Sequence, residues 1–94
     1  MNSSVSFGGR SPLFNTQWYV YILQCGDGTH YAGCTSDLEE RFNRHTHGWV
    51  PATSKRLPIT LVTYVVFGDK YKAFEFEKYL KSGSGRAFAK KHFY

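Results

Sequence analysis

Glu77 is the residue whose position packing alone explains least. On a helix, at about 100° per residue, Ala73, Phe74, Phe76 and Leu80 form one apolar arc, and Glu77 falls inside it. A carboxylate buried without a partner is costly, so Glu77 calls for a cation, a metal, strong hydrogen bonds or a raised pKa. The plainer solution is an ion pair with Lys81 at i+4, its head group reaching water. Arg41 and His45 share a helical stripe with Leu38 and Phe42, at i, i+3, i+4 and i+7. A guanidinium fork suits a phosphate whose charge grows in a transition state, and an imidazole beside it can accept or shuttle a proton. Taken singly, the same residues fit a snorkelling Arg and a hydrogen-bonded core His. Tyr19 and Tyr21 share one face of a strand and Tyr31 lies in the next, so a hairpin can present phenols towards the helix of Arg41, although aromatics in strands are usually core. With a pKa of about 10, a phenol acts as a base only where cations stabilise the phenolate.

Zinc is the competing chemistry, since Cys25, Cys34, His45 and His47 supply four ligand types. The spacing argues against it: the chain has no Cys-x-x-Cys, and two helical residues two apart point away from each other. Gly83 and Gly85 form no G-x-G-x-x-G after a strand, so no nucleotide loop is indicated.

The elements that must position these groups follow from the patterning. WYVYILQC from Trp18 is β-branched and aromatic on both faces, which suits a buried strand. GDGT at 26–29 supplies an Asp-Gly turn, and residues 30–34 form the returning strand. Ser36 with Glu39 fits a capping box that starts the helix of Arg41 and His45, ended by Gly48 and Pro51. A loop over 48–55 leads to a third strand, PITLVTYVVF, at 58–67. Asp69 is placed to cap a second helix through about Lys81, which Gly83 and Gly85 terminate, and a short basic helix follows over 86–92. The order β-β-α-β-α-α has no repeat and predicts an α+β fold, a small three-stranded mixed or antiparallel sheet flanked by helices.

Ninety-four residues suffice for one core and one domain, and 41% apolar residues with 18% aromatics supply its interior. The expected organisation is an N-terminal arm over 1–16, rich in Ser, Gly and Asn, followed by a domain over 17–94. The net charge of +5 is concentrated at the C-terminal end, where residues 69–94 carry seven Lys/Arg against three Asp/Glu. That asymmetry points to a polyanionic partner, nucleic acid being the commonest. Two cysteines and no N-terminal apolar signal segment suggest free thiols and a cytoplasmic protein without a membrane span.

Tyr19-Val20-Tyr21 and Tyr31-Ala32-Gly33, followed eight residues on by Arg41 and then His45, resemble the GIY-YIG nuclease motif. The resemblance extends through ATSKRLPITLV at 52–62 and FEKYLKSGSGRAFAKKHF at 76–93 to the short stand-alone members of that superfamily, about Trp18 to Phe93. The first triplet has Tyr19 in place of Gly and Val20 in place of Ile. Position by position, the resemblance implies that Tyr21, Tyr31, Arg41, His45 and Glu77 are catalytic, with Glu77 the metal ligand and Gly33 the glycine that lets backbone and substrate approach. It implies a three-stranded antiparallel sheet flanked by helices, matching the order read above.

The implied activity is a metal-dependent endonuclease acting on DNA, structure-directed or weakly specific, with one Mg²⁺ (or Mn²⁺) held by Glu77 and waters. Tyr21 or Tyr31, helped by His45, would position or deprotonate the attacking water, and Arg41 would stabilise charge on the phosphate. Lys70, Lys72, Lys78, Lys81, Arg86, Lys90 and Lys91, with Lys55 and Arg56 of the loop, would attract the nucleic-acid backbone whatever its sequence. Two other functions compete: a catalytically silent nucleic-acid-binding module on the same fold, and a zinc-stabilised interaction domain. Substrate selection is left to duplex shape, strand junctions, a homodimer or a targeting protein partner.

Overall fold

Strand β1, Trp18–Gln24, is central because its side chains are buried on both faces of the sheet. The computed structural model describes residues 16–94, so the arm expected over 1–16 lies, apart from Thr16, outside the described residues. β1 is followed by β2 (His30–Thr35), helix α1 (Leu38–Thr46), β3 (Thr60–Phe67), α2 (Lys70–Leu80) and α3 (Gly83–His92). The sheet order is β2-β1-β3 with both pairings antiparallel, which settles the mixed-or-antiparallel alternative. The hairpin register sets Tyr21 opposite Gly33 and Leu23 opposite Tyr31. On the β3 side the register shifts between Ile22 and Leu23, so β3 carries one extra residue there.

Strand alternation sorts the core into two halves. On one face Tyr21, Leu23 and Cys25 pack with Ile59, and Leu38 and Phe42 of α1 cover them. On the other, Val20 and Ile22 pack with Ala73 and Leu80 of α2 and Ala89 of α3. Cys34, paired with Val20, faces this second half, so the two free thiols sit on opposite faces of the sheet.

Three expected boundaries move, the first being β3, which begins at Thr60 rather than at Pro58. The cap of α1 is Asp37 rather than Ser36: its carboxylate accepts from the Glu40 amide at 3.2 Å, while Thr35 Oγ1 accepts from the Asp37 amide at 3.0 Å. A carboxylate caps as well as a hydroxyl and suits the positive helix end better. Gly83 and Gly85 do not terminate α2. They form the first turn of α3, whose cap is Ser82, its hydroxyl accepting from the Gly85 amide at 3.1 Å. Asp69 caps α2 as expected, accepting from the amides of Tyr71 and Lys72 at 2.7 and 3.3 Å. Phe74 lies at the margin of the apolar arc, 41% exposed, with its edge against Trp18. No helix among the described residues is long and apolar enough to cross a membrane.

Gly85 allows α3 to turn tightly off α2, because a Cβ there would overlap the Tyr79 carbonyl, whereas a Cβ on Gly83 would stand in open space. Gly85→Ala is therefore expected to destabilise the fold by about 1–3 kcal/mol, as overpacking against backbone does. Gly83→Ala should be neutral or stabilise by up to about 1 kcal/mol through the unfolded chain. Urea midpoints of the two variants check this, and equal midpoints would refute the role given to Gly85.

Candidate active site

The hairpin and α1 bring Tyr21, Tyr31 and His45 together. The Tyr21 phenol lies 2.9 Å from His45 Nε2, the Tyr31 ring 5.3 Å from that of His45, and the two tyrosine rings 6.5 Å apart. Gly33 makes this possible: the Tyr21 phenol lies against its backbone, where any Cβ would overlap it. Tyr21 and His45 are both fully buried. Tyr19 stays apart from this group, edge-on to Tyr64 at 5.9 Å.

His45 has a partner on each ring nitrogen, Tyr21 on Nε2 and Thr53 Oγ1 on Nδ1 at 2.8 Å. Thr53 is completely buried. It was not singled out from sequence, where it is one hydroxyl in a polar loop. The signal available was indirect: a buried histidine needs partners for both nitrogens, and a loop Thr or Ser is the usual donor or acceptor. Burial, and the positive charge of Arg41, hold the His45 pKa below its ordinary value, so the ring is neutral at pH 7 with one N–H and one acceptor. Burial also pushes the Tyr21 phenol well above its ordinary range; Tyr31 adds to the rise, Arg41 opposes it, and Glu77 adds further. Tyr21 thus keeps its proton. Arg41 offers only donors, so the phenol proton goes to Nε2, and Nδ1–H then donates to Thr53.

Arg41 stands beside Tyr21, and its Nε is buried without a hydrogen-bond partner among the described residues. An unsatisfied buried donor costs about 1–3 kcal/mol, a penalty that an incoming anion would remove. Glu77 approaches from the other side of the sheet. α2 packs over β1 and β2, and the Glu77 carboxylate adds to the raised pKa of both Tyr21 and Cys34. It is about a quarter exposed and bonded to Lys81 Nζ at 2.9 Å, and the ammonium lies 5.5 Å over the Tyr31 ring. The ion pair foreseen for Glu77 is therefore present, and it sits at the edge of the tyrosine cluster.

Among the described residues, no three His, Cys, Asp or Glu side chains gather as a metal-binding group. Zinc's tetrahedral preference for N and S ligands is not met, since Cys25 and Cys34 face opposite ways and His45 has both nitrogens engaged. A single carboxylate suits Mg²⁺ better, because that ion keeps several waters and takes one or two protein carboxylates plus substrate oxygens.

The basic residues divide by what they already touch. Arg56 ties loop to hairpin turn, with Asp27 at 3.4 Å, the Thr29 hydroxyl, and the Ala52 carbonyl at 3.1 Å. Lys70 lies over the Trp18 and Phe74 rings, and Lys72 is 3.9 Å from Glu75. Lys55, Lys78, Arg86, Lys90 and Lys91 are exposed. Of the C-terminal group, Lys81, Arg86 and Lys90 line one cleft beside Tyr31.

Comparison with known proteins identifies the family. A family model described as the GIY-YIG catalytic domain matches residues 17–91. The UPF0213 protein YsiG of Lactococcus lactis subsp. lactis is 42% identical over 66 residues, covering 69% of this chain and 64% of that protein, a little under two thirds of its length. The UPF0213 protein SAG0778 of Streptococcus agalactiae serotype V is 37% identical over 70 residues, 73% of this chain and 80% of that one. The solution NMR structure of the UPF0213 protein BH0048 from Bacillus halodurans shares 36% identity with a TM-score of 0.52, covering 80% of this chain and 81% of that one. With the model match spanning both tyrosine triplets, α1, α2 and most of α3, the chain belongs to the GIY-YIG family.

Proposed function

We propose that the protein is a divalent-metal-dependent endonuclease that hydrolyses phosphodiester bonds in DNA. The observation that carries this reading is the buried chain Tyr21–His45–Thr53, with Arg41 and its unpartnered Nε beside the phenol and the Glu77 charge acting on it as well. Arg41 is placed to bind a phosphate oxygen through its orphaned Nε and to stabilise charge that grows on the phosphate. Tyr21 orients a water and takes its proton as it passes its own to the neutral His45, whose Nδ1–H stays anchored on Thr53. A Tyr21 pKa raised by burial keeps the group a phenol, with little phenolate at neutral pH, so the relay to His45 and the nearness of Arg41 are what let it act. Tyr31, at the cluster's margin, positions the water. Glu77 holds the cation, most suitably Mg²⁺ or Mn²⁺, which when bound supplies Lewis-acid polarisation of the scissile phosphate and stabilises the leaving oxygen. Binding it at Glu77 requires Lys81 to swing from the carboxylate towards substrate, a small rotation for a long exposed side chain. The exposed lysines then attract the backbone without reading sequence.

Glu77→Ala should lower Mg²⁺-dependent cleavage by about 10²–10³-fold or more while leaving DNA binding in EDTA nearly unchanged. The assay is a screen over duplex, nicked, flap and single-stranded DNA and RNA, with Mg²⁺, Mn²⁺ or neither. If the unmutated protein cuts none of them, the silent binding module replaces the nuclease. Tyr21→Phe keeps the ring and removes the hydroxyl, so kcat should fall by about 10²–10⁴-fold with KM little changed. A kcat within a few-fold of the parent would remove Tyr21 from the chemistry.

The depressed His45 pKa also links stability to pH. The unfolded chain takes up a proton as pH falls through about 6.5 and folded His45 resists it, so this contribution is complete above about pH 6.5 and is lost below it, by at most about 1.4 kcal/mol per unit. Urea midpoints measured from about pH 8 to 5 should show a decline that is shallower in His45→Gln. Identical slopes in the two proteins would contradict a neutral, buried His45.

A further inference from the structure

Beside the tyrosine cluster lies a cleft of about 490 Å³ that the proposed chemistry does not use, within the ~300–1,000 Å³ range of small-ligand sites. Its floor is Ile22, Ala32 and Leu80, and one wall is His30 stacked on Tyr94, ring centroids 3.5 Å apart and planes within 9°. Three cations line it as well: Lys81 from the end of α2, and Arg86 and Lys90 at i and i+4 on α3. Like charges at that helical spacing repel each other, and neither Arg86 nor Lys90 has an acidic partner among the described residues. An anion between them would relieve the repulsion. Tyr94 is 45% exposed, so the stacked pair still offers aromatic surface to a ligand. The cleft joins the candidate active site directly, because Tyr31 and Lys81 line it and Lys81 is the residue bonded to Glu77.

Aromatic rings, cationic side chains and apolar surface lining one cleft are the chemistry that receives a nucleobase with its attached phosphate. We infer that this cleft binds one nucleotide of the cleaved strand next to the scissile phosphate, its base stacked on the His30–Tyr94 pair and its phosphate held by Arg86 and Lys90. The inference rests on the nuclease reading for the word cleaved, but the binding is separable from hydrolysis. A base seated there fixes the strand's position relative to Tyr21 and Arg41, so the cleft sets which phosphate is presented.

The test uses the full chain in EDTA, where binding of a fluorescent single-stranded oligonucleotide is followed by anisotropy. Tyr94→Ala, an exposed terminal change, should weaken binding about ten-fold, and Tyr94→Phe or Tyr94→Trp should restore it, as expected of stacking. A scan of the oligonucleotide with single abasic residues should find a register at which the unmutated protein loses affinity by a similar factor and Tyr94→Ala loses no more. With Mg²⁺ present, Tyr94→Ala should raise KM by a similar factor. Tyr94→Ala binding within about two-fold of the parent, or an abasic scan with no sensitive register in the parent, would overturn the cleft assignment. A protein that binds through this cleft yet cuts nothing would overturn the nuclease reading alone, and normal cleavage with no effect of Tyr94→Ala would overturn the cleft alone.

Discussion

The structure turns on the register of one hairpin, which sets Tyr21 opposite Gly33. The phenol lies against the bare backbone of that glycine, in space a side chain would otherwise fill. From there it reaches His45 on α1 at 2.9 Å, and it sits close enough to the sheet edge that Glu77, carried by a helix on the far face, acts on the same phenol. A slip of one residue would turn Tyr21 to the other face of the sheet and dissolve the cluster, because strand side chains alternate. Both faces of β1 are packed, so such a slip would have to repack the Tyr21–Leu23 half and the Val20–Ile22 half of the core at once.

The buried polar groups show two different solutions to desolvation. His45 is complete: both nitrogens have partners, and the neutral ring suits an interior with a guanidinium nearby. Arg41 shares the same stripe of α1 but has an orphaned Nε. A complete group holds a shape, whereas an incomplete one carries unused binding capacity. Pairing the two on adjacent turns sets a scaffold of fixed geometry beside one donor that has no partner among the described residues.

The C-terminal helices complete the edge of this arrangement. Ser82 caps α3 directly after α2, and the close approach at Gly85 packs α3 against the end of α2. Lys81, Arg86 and Lys90 consequently stand around the same edge strand that carries Tyr31. The charge surplus of the last third of the chain is thus partly focused beside the tyrosines, while Lys70 and Lys72 are engaged elsewhere by aromatic rings and Glu75.

What the sequence determined by itself was whatever depends on near neighbours and periodicity. The doubly buried β1, the Asp-Gly turn, the Asp69 cap, the shared stripe of Arg41 and His45, and the order of six elements were all legible there, because hydrogen bonds within a few residues and side-chain alternation express them. Two local readings were overturned: the cap of α1 is Asp37 and not Ser36, and Gly83 and Gly85 start α3 and do not end α2. Tertiary structure decided those, and it alone brought Thr53 from a loop to His45 and Glu77 from the opposite face to Tyr21. Both depend on how closely backbones approach across the sheet edge and between helices, and such distances are set by packing between residues far apart in the chain.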